Sequence, residues 1–391
     1  MRIAYFVHDL SDPAVARRIA MLRSGGAEVV AFGFRRTDQA PTEVAGVRTV
    51  DLGRTYDGRF AQRMGKAALA SLTVERWRGQ LVRADVILAR TLEMLAVAEA
   101  ARIRCRLNAR LAYECLDLHR LMLSPGPKGQ VLRFVERELM RRSNLLLVSS
   151  PAFLTAYFEP VQGVGRDIEL PSLLVENKVL DLEGRPPARR ARPPGPPWRI
   201  GWLGAIRCQK SLDALADLAK RRPDLAEVRI AGRPAYGEFR DFDAQVAEAP
   251  GVSFAGPYTP ADLPRLYGDV HFCWAIDFME EGLNSAFLLP NRLYEASRNG
   301  AVPIALTDVE TGRYLADRGF GLPLAQLSDL EGVLDGLTAA EYAGLGAGLE
   351  AQPDEAFAVG EAECRALVRA LAGGLIPHPA EAERPKAKLV A

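Results

Sequence analysis

Short apolar runs alternate with amphipathic segments along most of the chain. Residues 3–7 and 28–34 are predicted strands, and the helix between them begins at Pro13, with Asp12 as its N-cap. Strand and helix patterns continue to alternate over residues 85–175 and again over residues 198–306. Such repeated units form parallel sheets with right-handed crossovers. The pattern therefore predicts an α/β protein with two Rossmann-like, doubly wound domains.

The stretch 183–198, EGRPPARRARPPGPPW, separates the two halves. Its Pro- and Arg-rich composition is typical of a semi-rigid linker. We therefore predict an N-terminal domain over residues 1–182, a second domain over residues 199–350 and a C-terminal helix within residues 351–375. The tail 376–391 is charged and contains proline, which predicts disorder.

Residues 55–83 have a helical pattern with both apolar and basic positions. Phe60, Met64, Ala67, Leu69 and Leu72 form the predicted apolar stripe. Either this stripe packs on the sheet and leaves the basic side chains in water, or the helix lies on an anionic bilayer surface. The predicted helix at 130–142 is also basic and allows the same two interpretations.

The overall net charge of +1 conceals an asymmetry. Residues 1–182 contain 27 Lys and Arg against 20 Asp and Glu, a net charge of +7. A basic first half favours an anionic partner such as a membrane surface or a lipid phosphate, although solvated helix faces would give the same count. Nothing in the sequence indicates nucleic acid as a partner.

Five cysteines are scattered without C-x-x-C spacing, which favours a reducing compartment and no structural metal. The first ten residues are predicted as a strand, and they lack the apolar core of a signal peptide. No apolar run reaches the roughly 18 residues that a membrane span needs. We therefore expect a cytoplasmic protein that can bind the cytoplasmic face of the inner membrane peripherally.

Residues 284–305 contain the most informative stretch, in which Pro290-Asn291 precedes a predicted helix and then a buried strand. The unpaired N–H groups of a first helical turn and the helix dipole favour an anion, and Arg292 in that turn suits a phosphate. Glu295, one turn further along, can accept two hydrogen bonds from a vicinal diol such as a ribose. The stretch predicts a nucleoside-diphosphate site, unless Pro290-Asn291 only marks a helix start and Glu295 faces solvent.

A second phosphate-binding loop is predicted after the strand that begins at Trp198. It contains Gly204, Arg207 and Lys210, so that backbone N–H groups and two cations converge before the next helix. The first strand–helix turn of the chain is different, because it lacks G-x-G-x-x-G. This absence argues against a nicotinamide dinucleotide enzyme.

Candidate acid and base groups follow two strands of the first half. Asp9 comes after strand 3–7, and Asp117 and His119 come after strand 110–116. The carboxyl ends of parallel strands line the ligand crevice, so these side chains can face a substrate. Alternatively, Asp117 caps a helix that begins near Leu118.

PNRLYEASRNGAVPIA (290–305) resembles the segment P-N-K/R-L-x-E-x-x-x-x-G-x-P-V/I-I/V-A of GT-B glycosyltransferases. The loop from Gly204 to Lys210 is similar to a glycine- and lysine-containing loop of the same superfamily. AYFVHDLSDPAVARRIAML (4–22) and YECLDLHRLM (113–122) resemble bacterial glycosyltransferases of exopolysaccharide assembly. Phe287 stands where many of these enzymes have a second Glu.

The resemblance implies a GT-B architecture whose two domains face a central cleft, with the acceptor on residues 1–182 and the nucleotide-sugar on residues 199–350. It also implies that the C-terminal helix within residues 351–375 crosses back to the N-terminal domain. It implies that Glu295 and Asn291 hold a nucleotide-sugar donor, UDP-linked in our expectation, and that Arg207, Lys210 and Arg292 stabilise the leaving diphosphate without a metal or cofactor. It also implies an acceptor glycan linked to undecaprenyl diphosphate.

Our sequence-based hypothesis makes Asp117 the catalytic base, with Asp9 as its rival and His119 as an orienting partner. Two alternatives have the same architecture: a nucleotide-sugar epimerase and a non-catalytic sugar-nucleotide-binding protein.

Overall fold

The computed structural model describes residues 1–56, 60–186 and 192–374. The chain divides into two compact units: unit 1 is Met1–Glu176 together with the segment from Val359 onward, and unit 2 is Asn177–Ala358. The boundary at residue 176 precedes the Pro- and Arg-rich stretch. The predicted disordered tail 376–391 and residues 187–191 of the predicted linker lie outside the described residues.

Unit 1 is built on an eight-stranded sheet. In order across the sheet, its strands are Glu43–Val44, Val47–Arg54, Glu28–Arg35, Arg2–Val7, Val86–Arg90, Arg110–Cys115, Leu145–Val148 and Ser172–Leu174. All neighbours are parallel except the first two, which form a hairpin. This hairpin was not predicted from the sequence. Ala45 and Gly46 at its turn both have positive φ, as a type I′ turn requires.

Helices cover the unit 1 sheet. They are Pro13–Ser24, Phe60–Thr73, Arg78–Leu81, Leu92–Arg104, Arg120–Leu123, Pro127–Met140, Pro151–Phe153 and Glu361–Leu371, with a 3₁₀ segment at Val74–Trp77 and a π-helix at Leu154–Gln162. The C-terminal helix passes close to the end of the first helix, because a Cβ on Gly25 would lie 2.3 Å from the carbonyl oxygen of Cys364.

The predicted apolar stripe of residues 55–83 is partly wrong. Ala67, Ala70 and Val74 are buried, whereas Leu69 and Leu72 are 55% and 64% exposed. The buried face is lined by small alanines, which let a helix approach its neighbours closely. Hydrophobicity ranks leucine above alanine, so the sequence pattern chose Leu69 and Leu72 for the buried face instead of Ala70.

Unit 2 has a six-stranded parallel sheet. In order across the sheet, its strands are Val252–Phe254, Ala226–Pro234, Trp198–Ile206, Phe272–Trp274, Val302–Leu306 and Leu322–Leu324. Its α-helices are Gln209–Arg221, Phe242–Ala247, Leu263–Gly268, Asn291–Arg298, Glu310–Arg318, Leu330–Gly336 and Ala339–Glu350. Short strands at Val179–Leu180 and Ala358–Val359 complete the described strands.

Large aromatic side chains form the core of unit 2. Trp198, Trp202 and Trp274 are fully buried, and the indole N–H of Trp198 donates to the carbonyl oxygen of Leu334 at 3.0 Å. The predicted α/β class with two Rossmann-like sheets is confirmed. Among the described residues, no helix has the length and apolarity that crossing a bilayer requires.

Candidate functional site

A close backbone approach shapes the first loop of unit 2. Gly204 and Gly232 are partners on neighbouring parallel strands, and both have positive φ, at 108° and 140°. A Cβ on Gly232 would lie 1.8 Å from the carbonyl oxygen of Gly204, so only glycine fits there. The strand then runs on to Ile206, and the next helix begins at Gln209. Lys210 therefore lies in the first turn of this helix.

The helix Asn291–Arg298 begins as the sequence predicted, with Pro290 as its N-cap. No side chain caps this end, and Asn291 is exposed. First-turn N–H groups without intrahelical partners, together with the positive end of the helix dipole, suit an anionic ligand.

The side chain of Arg292 also suits an anionic ligand at this helix start. Its side chain is only 11% exposed, and its Nη1 is buried with no hydrogen-bond partner among the described residues. A buried donor without a partner is costly, and guanidinium groups match phosphate oxygens in a two-pronged geometry. The position of Arg292 therefore fits a phosphate-binding role.

Asp277 lies between Arg207 of the first loop and Arg292 of the helix Asn291–Arg298. Its Oδ2 lies 3.6 Å from Nη2 of Arg207 and 3.6 Å from Nη2 of Arg292. Its Oδ1 accepts hydrogen bonds from the Met279 N–H at 2.8 Å and the Ser285 hydroxyl at 3.0 Å. Burial acts to raise the pKa of Asp277, but the two arginines and the hydrogen bonds outweigh it and leave the pKa below its ordinary value.

Asp277 was not among the site residues predicted from the sequence. It comes three residues after the buried strand Phe272–Trp274, which lies between strands Trp198–Ile206 and Val302–Leu306. A carboxylate just past a strand end was the signal that selected Asp9 and Asp117 in the first half. The same signal, applied to the second half, would have found Asp277.

In this structure the ammonium group of Lys210 is paired with Glu281. Its Nζ contacts both carboxylate oxygens of Glu281, at 2.7 and 2.8 Å, and lies 4.2 Å from the centre of the Phe278 ring. Both side chains of the ion pair are about half exposed, and such pairs typically contribute about 0–1 kcal/mol. The pair can therefore open at little cost when a stronger anion competes for the ammonium group.

Glu295 lies one turn beyond Asn291 and is half-buried. Its Oε2 accepts a long hydrogen bond, 3.5 Å, from the hydroxyl of Tyr267. Burial, and then the charge of Glu295, raise the pKa of the nearby Tyr258. The carboxylate thus lies near two tyrosines, and a carboxylate is the kind of group that can accept two hydrogen bonds from a vicinal diol.

The candidate base residues lie in unit 1. Asp9 is buried, accepts hydrogen bonds from the Ser11 N–H (3.0 Å) and Ser11 hydroxyl (2.7 Å), and pairs with Arg36 at 3.2 Å. Both carboxylate oxygens of Asp9 thus have partners within unit 1.

Asp117 is exposed, and its backbone carbonyl accepts from the Cys115 thiol at 3.5 Å. The cap of the helix Arg120–Leu123 is His119, whose Nδ1 accepts from the Leu121 N–H at 3.2 Å. Burial, and then Arg63, lower the pKa of His119. The strands preceding Asp9 and Asp117 are separated in the sheet by Val86–Arg90.

Over residues 1–56, 60–186 and 192–374, no group of three or more His, Cys, Asp or Glu side chains is arranged to hold a metal ion. Arg207 and Arg292, both beside Asp277, offer positive charge to an anion at this site.

Two solved structures share this fold at low sequence identity. Sucrose-phosphate synthase from Thermosynechococcus elongatus has a TM-score of 0.67 and 14% identity, with 95% of this chain and 96% of that chain covered. HepE from Anabaena in complex with UDP-glucose has a TM-score of 0.68 and 16% identity, with 96% and 100% covered. The chain therefore has the fold of these structures, which is the GT-B fold that the sequence predicted.

A sequence relative defines the family. This chain is 46% identical over 380 residues to the succinoglycan biosynthesis protein ExoL of Rhizobium meliloti (strain 1021). The aligned region covers 95% of this chain and 93% of that protein. The chain belongs to the ExoL family of succinoglycan biosynthesis proteins. No protein-family model matches the sequence. The predicted resemblance to exopolysaccharide-assembly glycosyltransferases is thus confirmed.

Proposed function

We propose that this protein transfers a sugar from a UDP-sugar to a lipid-linked saccharide during exopolysaccharide synthesis. The observation that carries the proposal is Arg292, a buried cation with an unpartnered donor in the first turn of an uncapped helix. Glu295 follows one turn later, at the spacing that suits a ribose next to a diphosphate.

The chemistry follows from the charges. Breaking the bond between a sugar and a diphosphate leaves negative charge on the departing oxygens, and cations held in place stabilise that charge as it develops. Asp277 holds Arg207 and Arg292 before any ligand arrives, so little reorganisation is needed. Lys210 becomes a third cation if the diphosphate displaces Glu281. No metal is required in this scheme.

Two observations support the choice of donor and pathway. HepE, with the same fold, has been solved with UDP-glucose. The relative that defines the family is a succinoglycan biosynthesis protein. We propose undecaprenyl diphosphate as the lipid carrier of the acceptor, and the net charge of +7 over residues 1–182 favours an anionic partner of this kind.

An exposed apolar face supports contact between unit 1 and the membrane. On the helix Pro127–Met140, Val131 and Phe134 are each 62% exposed and Val135 is 39% exposed. These positions are spaced so that they share one face of the helix. A helix that presents aromatic and aliphatic side chains to solvent can insert them at the lipid headgroup boundary.

The basic residues contribute less to this contact than the sequence suggested. Arg133 donates to the carbonyl oxygens of Met122 and Ser124, and Arg137 donates to that of Val161. Arg141 pairs with Glu138, and Arg142 lies 3.6 Å from Glu99. All four arginines of this helix region have acceptors within the protein, so we assign the larger share of the proposed membrane affinity to Phe134 and its neighbours.

A panel of radiolabelled UDP-sugars, with and without a bacterial lipid extract that contains polyprenyl-diphosphate saccharides, tests the proposal. We expect label to enter the lipid fraction with one donor only. Epimerised donor without lipid labelling would indicate the epimerase alternative. Binding without any conversion would indicate a sensor. Thermal shift identifies the donor to use first, because a ligand at 100 times its Kd stabilises the folded state by about 2.7 kcal/mol.

A further inference from the structure

The amino-terminal edge of the unit 1 sheet carries a cleft of about 780 Å³. It lies where the strands Arg2–Val7, Glu28–Arg35 and Val47–Arg54 begin, and residues between 79 and 84 also line it. The candidate acid and base groups follow the carboxyl ends of strands, at the other edge of the same sheet. The cleft is within the size range of ligand pockets, roughly 300–1,000 Å³, and it takes no part in the proposed chemistry.

The floor of the cleft is aliphatic. Ala4 is paired with Val30, and Phe32 with Val50, on neighbouring parallel strands. Residues two apart on a strand share a face, so Val30 and Val50 lie on the same side of the sheet. Both are half-buried, and Val82, which also lines the cleft, is 55% exposed. Part of this apolar surface meets water, and a partner that covered it would gain free energy.

The rim of the cleft is basic. Four arginines line it, Arg2, Arg23, Arg48 and Arg83, against one acidic residue, Glu28. Arg2 pairs with Glu28 at 2.5 Å, and Arg23 donates to the carbonyl oxygen of Ala45 at 2.6 Å. Arg48 and Arg83 are exposed, and their side chains have no hydrogen bond or ion pair with the part of the chain that the structure describes. Two cations are thus available to an acidic partner.

Unit 2 has the opposite charge. Residues 200–358 contain 13 Lys and Arg against 24 Asp and Glu, a net charge of −11. The last part is the most one-sided, since residues 319–358 contain seven acidic residues and no Lys, Arg or His. Residues 1–182 have a net charge of +7, so the two halves of the chain are complementary in charge. Every further copy of the protein therefore brings an acidic surface that suits the cleft.

One helix of the acidic stretch has an exposed face of small apolar residues. The helix Ala339–Glu350 packs on the core of unit 2 through Leu345 and Leu349. Its exposed positions are spaced three or four residues apart and so share one side of the helix. They are Ala340, Ala343, Gly344 and Ala347. A helix with such a smooth face can lie closely in a groove that has an apolar floor.

Gly344 is an observation independent of charge. Glycine in the interior of a helix is less favourable than alanine. A Cβ on Gly344 would meet no atom of the described residues within 4 Å, so packing inside this chain does not require a glycine there. A partner whose backbone approaches this face would require one. Gly344 therefore supports a close contact with a second molecule.

We infer that the protein associates with itself, and that the helix Ala339–Glu350 of one copy lies in the arginine-lined cleft of another. This inference is independent of the proposed transferase function. The small side chains of the helix cover the valines of the cleft floor, and the acidic residues around it meet Arg48 and Arg83. Because the cleft and the helix are different surfaces, two copies either exchange both contacts in a closed dimer or continue into a longer assembly.

Light scattering and sedimentation measure the association directly. At low salt the average mass should rise above the 42.7 kDa of one chain as the protein concentration increases. High salt should lower the mass, because exposed charges are screened. A protein of one-chain mass at every concentration up to the solubility limit would overturn the inference. Such a protein, if it also bound poly-L-glutamate through Arg48 and Arg83, would have a different acidic partner.

Exchange of charge tests which surfaces meet. One double variant carries Arg48→Glu and Arg83→Glu in the cleft, and the other carries Ala340→Lys and Ala347→Lys on the helix. All four positions are exposed, so both variants should melt like the wild type. Each alone should self-associate about 10-fold more weakly or worse, because like charges then face each other.

An equimolar mixture of the two double variants should recover the association. The acidic cleft of one variant then meets the lysine-bearing helix of the other, and the native cleft of the second meets the native helix of the first. Lys128→Glu with Arg166→Glu is the matched control, because it reverses two exposed charges of unit 1 outside the cleft and should associate like the wild type. A mixture that stays dissociated would overturn the inference, and so would a control that dissociates equally.

Gly344→Ala separates association from stability. Alanine favours the helix and its Cβ has room, so the melting temperature should rise slightly. The same Cβ would enter the contact between copies, so self-association should weaken at least several-fold. Gly65→Ala is the control, because Gly65 also lies within a helix with no atom near its Cβ position, and this variant should associate normally. An unchanged association in Gly344→Ala would remove the helix face from the contact and overturn the inference.

Discussion

The carboxylate of Asp277 lies 3.6 Å from a guanidinium nitrogen of Arg292 and at the same distance from one of Arg207. One buried acidic side chain therefore holds two cations of unit 2, one that follows the strand Trp198–Ile206 and one in the first turn of the helix Asn291–Arg298. Without it, two like charges would have to be kept together by packing alone. The arrangement of Asp277 is thus a precondition for the proposed diphosphate site.

Asp277→Asn should destabilise unit 2 in a pH-dependent way. The folded-state pKa of Asp277 is below its ordinary value, so its contribution to the free energy of unfolding is present above about pH 4 and is lost as the pH falls through the folded-state pKa. We expect the variant to lose about 1–3 kcal/mol at pH 7, and the gap from the wild type to narrow near pH 3. Calorimetry at both pH values measures the difference.

Asp217→Asn is the control for Asp277→Asn, because Asp217 forms an exposed ion pair with Arg221 at 2.9 Å. Exposed pairs of this kind contribute about 0–1 kcal/mol, so the control should lie close to the wild type at pH 7. An equal loss in both variants would show that Asp277 has no special place in the structure.

Arg292→Lys should weaken binding of UDP by about 10-fold and leave binding of uridine unchanged. Lysine keeps the positive charge but loses the planar fork that meets two phosphate oxygens at once. Calorimetric titrations with UDP and with uridine separate the phosphate contribution from the nucleoside contribution. Arg265→Lys is the matched control, since Arg265 is 60% exposed. Equal losses for UDP and uridine would place Arg292 near the nucleoside instead.

Glu295→Ala should lower UDP affinity by about 10- to 100-fold, because losing a charge-assisted hydrogen bond typically costs about 1.5–3 kcal/mol. The sharper measurement compares UDP with 2′,3′-dideoxy-UDP. The wild type should bind the dideoxy compound weakly, and the variant should no longer distinguish the two ligands. A variant that still prefers UDP would show that the ribose hydroxyls are held elsewhere.

Gly232→Ala should destabilise unit 2 by about 3 kcal/mol or more. The new Cβ would meet the carbonyl oxygen of Gly204 at 1.8 Å, and φ at this position is 140°. Overpacking and an unfavourable backbone region each cost about 1–3 kcal/mol. Gly237→Ala, where a Cβ would meet no atom within 4 Å, should melt within a few degrees of the wild type. Denaturant unfolding of the two variants checks the contrast.

The alternation of apolar runs and helical patterns predicted both sheets, because parallel strands are buried on both faces and appear in sequence as short apolar runs. It missed the strands Glu43–Val44 and Val47–Arg54 at the sheet edge, because most of their side chains are only partly buried and they contain no continuous apolar run. The helix start at Asn291 was predicted well, since Pro290 before it is a local signal. Local signals therefore gave the elements that depend least on distant contacts.

Side-chain pairing was harder to predict. Nothing in the sequence indicates that Lys210 pairs with Glu281, 71 residues away, or that Asp277 lies between two arginines. Asp12 was identified correctly as a helix cap, but only the sheet order brings it beside Arg90. These relationships depend on which strands are neighbours, and local sequence carries little information about strand order.

Phe134→Ser should weaken membrane binding by about 10-fold while the fold is preserved. The Phe134 side chain is 62% exposed and so contributes little to the core, whereas burying a phenylalanine in an apolar environment is worth about 1.5–3 kcal/mol. Flotation with vesicles of phosphatidylglycerol and phosphatidylethanolamine gives the bound fraction. Tyr236→Ser is the control, because Tyr236 is 58% exposed in unit 2.

High salt should reduce binding only modestly, since the arginines near Phe134 already have acceptors within the protein. Binding that disappears in salt yet is indifferent to Phe134→Ser would mean that charge, and not this apolar face, attaches unit 1 to the bilayer.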